Sequence, residues 1–212
     1  MGWYVLFVET GSEDIVQKYL ESQFCQKDLY SIVPKRLVPE KRNGEFYSVV
    51  KTLFPGYLLI YTKMTPSLYY ELKKIPRSYR MLRNSSFELD KIYGRSQRHT
   101  DFPLGEEGSI DAYYDNFFSE IDEVEIRQIL NLINDECIIE YSNVIVENSI
   151  IRVRSGPLYG MESNICKIDK RKRRAKIALD FFGGERQLEL GIEVLSIGNQ
   201  EMMVVHENSN GC

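Results

Sequence analysis

The sequence predicts an α+β protein in two domains: an N-terminal α/β sandwich followed by a small all-β barrel. Three observations carry this. Strand and helix periodicities alternate up to about residue 135, helical spacing disappears from Val144 onward, and an acidic stretch lies between the two regions. At 212 residues the chain is long enough for two modest cores, and 43% hydrophobic with 12% aromatic residues supplies them. The expected boundaries are 1–136 for the first domain, 137–146 for a linker, 147–198 for the barrel and 199–212 for a tail.

The first strand is the apolar run Trp3 to Val8, and it leads into a helix. Thr10 and Glu13 have the spacing of a capping box, and Ile15, Val16, Tyr19, Leu20 and Phe24 fall on one helical face. A second strand fits Tyr30 to Val33, stopped by Pro34. The Asn43-Gly44 pair is a strong hairpin signal, so its flanks pair as antiparallel strands. Leu53 to Tyr61 forms a further apolar strand region broken by Pro55 and Gly56. Pro66 opens a short helix that Pro76 closes, and a strand follows near Tyr79 to Leu82. Residues 85–118 show no sustained period and read as a long insertion. Ser119 is placed to cap a helix through about Asp135, with Ile126, Ile129, Leu130 and Ile133 as its apolar stripe.

Beyond Val144, short β-rich segments are separated by turns at 155–160, 169–173 and 183–185. Ala175, Ile177, Leu179 and Phe181 alternate with Arg174, Lys176, Ala178 and Asp180, the pattern of a half-buried strand. Closely spaced short strands of this kind build a small barrel.

The net charge of −4 is unevenly spread. Residues 1–100 carry 16 Lys/Arg and 10 Asp/Glu, residues 101–147 carry 1 and 13, and residues 148–212 carry 10 and 8. Within the last part, Lys167 to Lys176 holds seven cations against one acid, Asp169. The run has two readings: a solvated, charged hairpin loop, or a phosphate-binding surface, because arginine binds phosphate bidentately and stacks on bases. Four scattered cysteines, none in a C-x-x-C or Cys/His cluster, argue against a zinc site and a disulfide framework. His99 and His206 are the only histidines, and no phosphate-binding glycine loop or nucleophile elbow occurs. The sequence therefore points to a binding protein, not an enzyme, with no metal and no cofactor. No apolar run is long enough to cross a membrane, and the N-terminus lacks a basic n-region and cleavage site, so a cytoplasmic location is expected.

Three segments, in order, resemble the diagnostic stretches of NusG-type transcription elongation factors: WYVLFVETGSEDIVQKYL from residue 3, LFPGYLLIY at 53–61, and RVRSGPLYG at 152–160. The last resembles the KOW motif, in which glycines allow a tight turn between the first strands of an SH3-like barrel; Gly156 and Gly160 match it. GPLYG followed by KIDKRKRRAKI is most similar to the specialised LoaP antiterminators. Ser163 departs from the motif, standing where a further glycine is usual.

The resemblance implies a monomeric factor that binds RNA polymerase at the clamp helices of its largest subunit. The implied contact residues are Phe7, Phe54 and Tyr57, with Ser67 meeting the opposite side of the cleft. Read alone, Phe54 to Tyr57 would more readily start a core strand; the family pattern reverses that preference. The similarity to LoaP implies that Lys167, Lys170, Arg171, Lys172, Arg173, Arg174 and Lys176 bind a nascent RNA hairpin and so promote processive antitermination. Phe182 falls in the segment that general NusG factors use to contact a small-subunit ribosomal protein or the Rho terminator; its alternative is a place in the barrel core.

Overall fold

The structure, a computed structural model, describes residues 1–81, 119–147 and 150–195. The expected insertion at 85–118, both histidines, Cys212 and the tail lie outside the described residues. The chain divides into two compact units: Met1–Val33 with Phe54–Glu123, and Pro34–Leu53 with Val124–Cys212.

In the first unit, strands β1 (Gly2–Val8), β2 (Leu29–Ile32), β5 (Tyr57–Thr62) and β6 (Ser78–Met81) form a sheet in the order β2-β5-β1-β6. Alternation along β1 puts Tyr4, Leu6 and Val8 on one face and Trp3, Val5 and Phe7 on the other. The first face packs with Leu58 and Ile60 against helices α1 (Glu13–Gln23) and α2 (Pro66–Lys73) through Val16, Leu20, Tyr69 and Leu72. Each fully buried aliphatic side chain here contributes about 1.5–3 kcal/mol of apolar transfer free energy.

Two expectations for α1 need correction. Its cap is Ser12, not Thr10, and Ser12 makes no side-chain cap bond. Gly11 has φ +88, a left-handed turn that starts the helix after Ser12 and sends the Glu13 carboxylate back to the Gly11 N–H at 2.9 Å. The buried stripe is also narrower than the sequence suggests. Val16 and Leu20 are buried and Phe24 is half-buried, but Ile15 and Tyr19 are 55% and 41% exposed, because only the ridge on Val16 and Leu20 faces the sheet. Helix α2 follows the sequence closely. Pro66 is its first residue, and Thr65 accepts a hydrogen bond from Leu68 N at 3.2 Å.

The second unit begins with the hairpin β3 (Lys35–Arg42) and β4 (Glu45–Thr52), turned by Asn43 (φ 51) and Gly44 (φ 91), the signs a type I′ turn requires. Strand β7 (Ile138–Ile139) pairs parallel with β3. Helix α3 (Glu123–Leu132) starts at Glu123, three residues later than a cap at Ser119 predicts. Ile121 N donates to Trp3 O at 2.7 Å, tying the chain to β1 before the helix begins. The helix buries Ile126, Ile129 and Leu132, while Leu130 and Ile133 lie at the edge of the stripe.

A curled five-stranded sheet, a small β barrel, completes the unit. Strands β8 (Ser142–Glu147), β9 (Ile150–Ser155), β10 (Ile165–Asp169), β11 (Arg174–Asp180) and β12 (Glu185–Val194) take the order β10-β11-β12-β8-β9. Strand β7 and most of β8 fall within residues 137–146. Ala175, Ile177, Leu179 and Phe181 are all buried, as their alternation predicts. Gly156 has φ +95, and a β-carbon there would lie 2.6 Å from Tyr141 O, so this turn requires glycine. Gly160 has φ +80 and open space around it. Ser163 occupies a single helical turn, Glu162–Asn164.

Candidate functional site

The first unit gathers three aromatic side chains that lie far apart in sequence. Antiparallel pairing of β1 with β5 sets Phe7 directly opposite Tyr57, and their ring centroids are 4.8 Å apart. Phe54 joins at 6.4 Å from Tyr57, and all three are half-buried. On the other flank Arg80, paired with Phe7 across β6, places its guanidinium 5.1 Å from the Phe7 ring centroid. Ser67 lies at the second position of α2 and is exposed.

The loop bearing Phe54 is held by a buried carboxylate. Gly56, at φ +82, donates its N–H to Glu13 Oε1 at 2.6 Å, and its carbonyl accepts from Val8 N at 2.9 Å. The Glu13 side chain thus ties the start of α1 to the aromatic turn, and Glu13 is only 4% exposed. Sequence spacing assigned it to local capping; its partner 43 residues away left no sequence signal.

In the second unit, the β10–β11 turn displays the cationic run. Lys167, Lys170, Arg171, Lys172 and Arg173 are exposed, while Arg174 and Lys176 are half-buried. Register puts Lys167 directly opposite Lys176, two like charges on one face, with Glu189 on the far side of Lys176. Lys172 N donates to Asp169 Oδ1 at 2.8 Å, closing the turn, and Lys170 Nζ lies 3.5 Å from Val146 O.

Two cations of the run engage the β3–β4 hairpin. Arg173 (φ 54) sits with its guanidinium 4.4 Å from the Phe46 ring centroid, and Lys41 Nζ approaches the same ring at 5.8 Å. Arg174 donates to Pro39 O at 3.0 Å and pairs with Glu189 at 3.0 Å. Arg36 donates to Glu189 O at 2.6 Å. Burial pushes the Arg36 pKa down; Glu189 opposes the shift and nearby Arg174 adds to it.

Phe182 is half-buried against Phe181, with centroids 4.0 Å apart, and has φ 57. The core position belongs to Phe181. The N–H groups of Phe182 and Gly183 both donate to the Glu125 carboxylate of α3, at 2.8 and 3.1 Å. Among the described residues no cluster of His, Cys, Asp or Glu suits a metal ion, and no helix is long and apolar enough to cross a membrane.

The first unit thus presents a cluster of half-buried aromatic rings, and the second a turn of exposed cations. Residues 1–93 match the family model described as "Transcription termination factor nusG". The chain is 21% identical over 196 residues to the transcription termination/antitermination protein NusG of Helicobacter pylori J99, covering 90% of this chain and 94% of that one. It is 26% identical over 198 residues to the NusG of Buchnera aphidicola, covering 89% and 91%. A solved structure described as "Domain interaction in Thermotoga maritima NusG" aligns with 90% of this chain and 93% of its own, at 17% identity and a TM-score of 0.42. Residues 1–93 thus match the NusG family model, and the chain is similar over about nine-tenths of its length to NusG proteins at 21–26% identity.

Proposed function

We propose that this chain is a specialised NusG-type factor that binds RNA polymerase and promotes processive antitermination at particular operons. The observation that carries the reading is the convergence of Phe7, Phe54 and Tyr57 on one sheet face, anchored from behind by Glu13. Half-exposed aromatic rings make good anchors because they remove much apolar surface from water at little rotamer cost. The patch seats the clamp helices of the largest polymerase subunit, and Ser67 meets the opposite side of the cleft. Binding that prefers the closed clamp disfavours the opening that accompanies pausing and termination.

The barrel supplies selectivity by holding a nascent RNA hairpin, and tethering to the moving polymerase raises that weak contact to a high effective concentration. Lys167, Lys170, Arg171 and Lys172, with Lys176 behind them, face solvent well enough to meet phosphates. The factor works as a cytoplasmic monomer without a cofactor. A second reading rests on Phe182: its half-exposed ring beside Gly183 fits a general NusG factor whose barrel meets a ribosomal protein or Rho. The test is polymerase binding by Tyr57→Ala. Loss of binding with folding retained supports the patch, whereas unchanged binding refutes it.

A further inference from the structure

The β3–β4 hairpin and the β10–β11 turn bring like charge together. Residues 35–52 carry five Lys/Arg against two Glu, and residues 170–174 are five consecutive cations. Placing such elements side by side is electrostatically unfavourable without a counter-charge. One carboxylate, Glu189, is set between them, and the Nε atoms of Arg36 and Arg174 are buried without an acceptor. The contact is instead held by neutral groups: the Phe46 ring, the Pro39 and Glu189 carbonyls, and the hydroxyls of Tyr141 and Ser48 at 2.9 Å. It leaves Lys41 and Arg173 exposed, both close to the half-buried Phe46 ring.

We propose that the hairpin and the barrel turn form one composite RNA-binding surface, in which Lys41 and Arg173, both held near the Phe46 ring, extend the phosphate track of Lys170, Arg171 and Lys172. A polyanion supplies the missing counter-charge. The Arg173 guanidinium, fixed in orientation by Phe46, offers a plane on which an unpaired base stacks. This inference rests on the RNA-binding reading of the barrel and adds the hairpin to it.

The experiment measures binding of the full chain to a fluorescein-labelled RNA stem-loop with an unpaired adenine-rich loop, by anisotropy across a salt series. Lys41→Ala is expected to lower the logarithmic salt slope by about 1, the loss of one phosphate contact. Phe46→Ala weakens binding by about five- to 150-fold if it costs one stacked base, while Phe46→Trp preserves it. Gly191→Val acts without touching a charge, because a β-carbon at Gly191 would collide with the Tyr141 ring and approach Leu37 O to 2.7 Å, pushing the hairpin off the barrel. The composite surface predicts weaker RNA binding by this variant. Tighter binding would mean that the hairpin masks the cations, and would overturn the inference. Wild-type affinity and slope in Lys41→Ala and Phe46→Ala would also overturn it, and those variants need no change inside the barrel. A joint Lys167→Ala, Arg171→Ala, Lys172→Ala variant separates the two levels. If it loses RNA and the hairpin variants do not, only the composite surface fails; if it binds like wild type, the RNA-binding reading itself fails.

Discussion

Replacing Glu13 by Ala removes a side chain that joins the start of α1 to the aromatic turn. Both carboxylate oxygens accept backbone N–H groups, from Gly11 at 2.9 Å and Gly56 at 2.6 Å. Hydrogen bonds to a charged acceptor contribute about 1.5–3 kcal/mol each, but the two losses differ. Gly11 is exposed and its N–H rehydrates, so that bond costs little to lose. Gly56 is buried, and its orphaned N–H retains a desolvation penalty of about 1–3 kcal/mol. The expected destabilisation is therefore about 2–4 kcal/mol, within the roughly 5–15 kcal/mol that a domain holds. Glu13→Gln keeps one carbonyl acceptor and should lose about half as much. Urea titration followed by tryptophan fluorescence reads both, since Trp3 is the sole tryptophan and lies on β1. A loss below about 0.5 kcal/mol for Glu13→Ala would refute the view that this carboxylate holds the turn. Folded Glu13→Ala should also bind polymerase less tightly than its stability loss explains, because Phe54 and Tyr57 flank the released glycine.

Other expectations follow from particular contacts. Tyr57→Ala should weaken polymerase binding by about 1–3 kcal/mol with a near-normal melting curve; unfolding without a separable binding defect would assign Tyr57 to the core. Gly156→Ala should destabilise the barrel by well over 1 kcal/mol, as it combines a left-handed φ with a clash against Tyr141 O, whereas Gly160→Ala, strained but unhindered, should cost less; equal effects would contradict the distinction. Burial raises the Cys137 thiol pKa, so at neutral pH it should react with a disulfide reagent more slowly than exposed Cys25 and Cys166; faster labelling of Cys137 would contradict this. Hydrogen bonds from Lys51 and Arg42 lower the Glu40 pKa. Their stabilising effect is therefore present at neutral pH and lost as pH falls through the lowered folded-state value; carbon-detected NMR titration should place the Glu40 midpoint below the ordinary glutamate range, and a midpoint at or above that range would contradict this.

Much of this architecture is legible from local pattern. Asn43-Gly44, Pro66 and the alternation from Ala175 to Phe181 each fix a local conformation by chemistry that needs no distant partner. The aromatic patch was readable through the resemblance of LFPGY to a family segment, since half-burial of Phe54 and Tyr57 is decided by a sheet whose strands are some fifty residues apart. What the sequence did not disclose depends on long-range approach. Glu13 looks like a capping residue until Gly56 arrives beside it. Ser119 has the right chemistry for a cap, but the bond from Ile121 to Trp3 delays the helix. Arg173 and Arg174 are indistinguishable by sequence from their neighbours, and only the position of Phe46 and Pro39 separates them from the other cations. For this reason Arg174 is a poor probe of RNA contact: removing it also disturbs the hairpin.

The most direct test of the central claim is terminator read-through in a defined transcription reaction, with and without a leader encoding an RNA hairpin upstream. The wild-type chain should raise read-through only when the leader is present. The joint Lys167→Ala, Arg171→Ala, Lys172→Ala variant should lose that leader-dependent effect while still binding polymerase through the aromatic patch. Leader-dependent read-through at the wild-type level in that variant would contradict an RNA tether and favour a general factor whose barrel meets another protein.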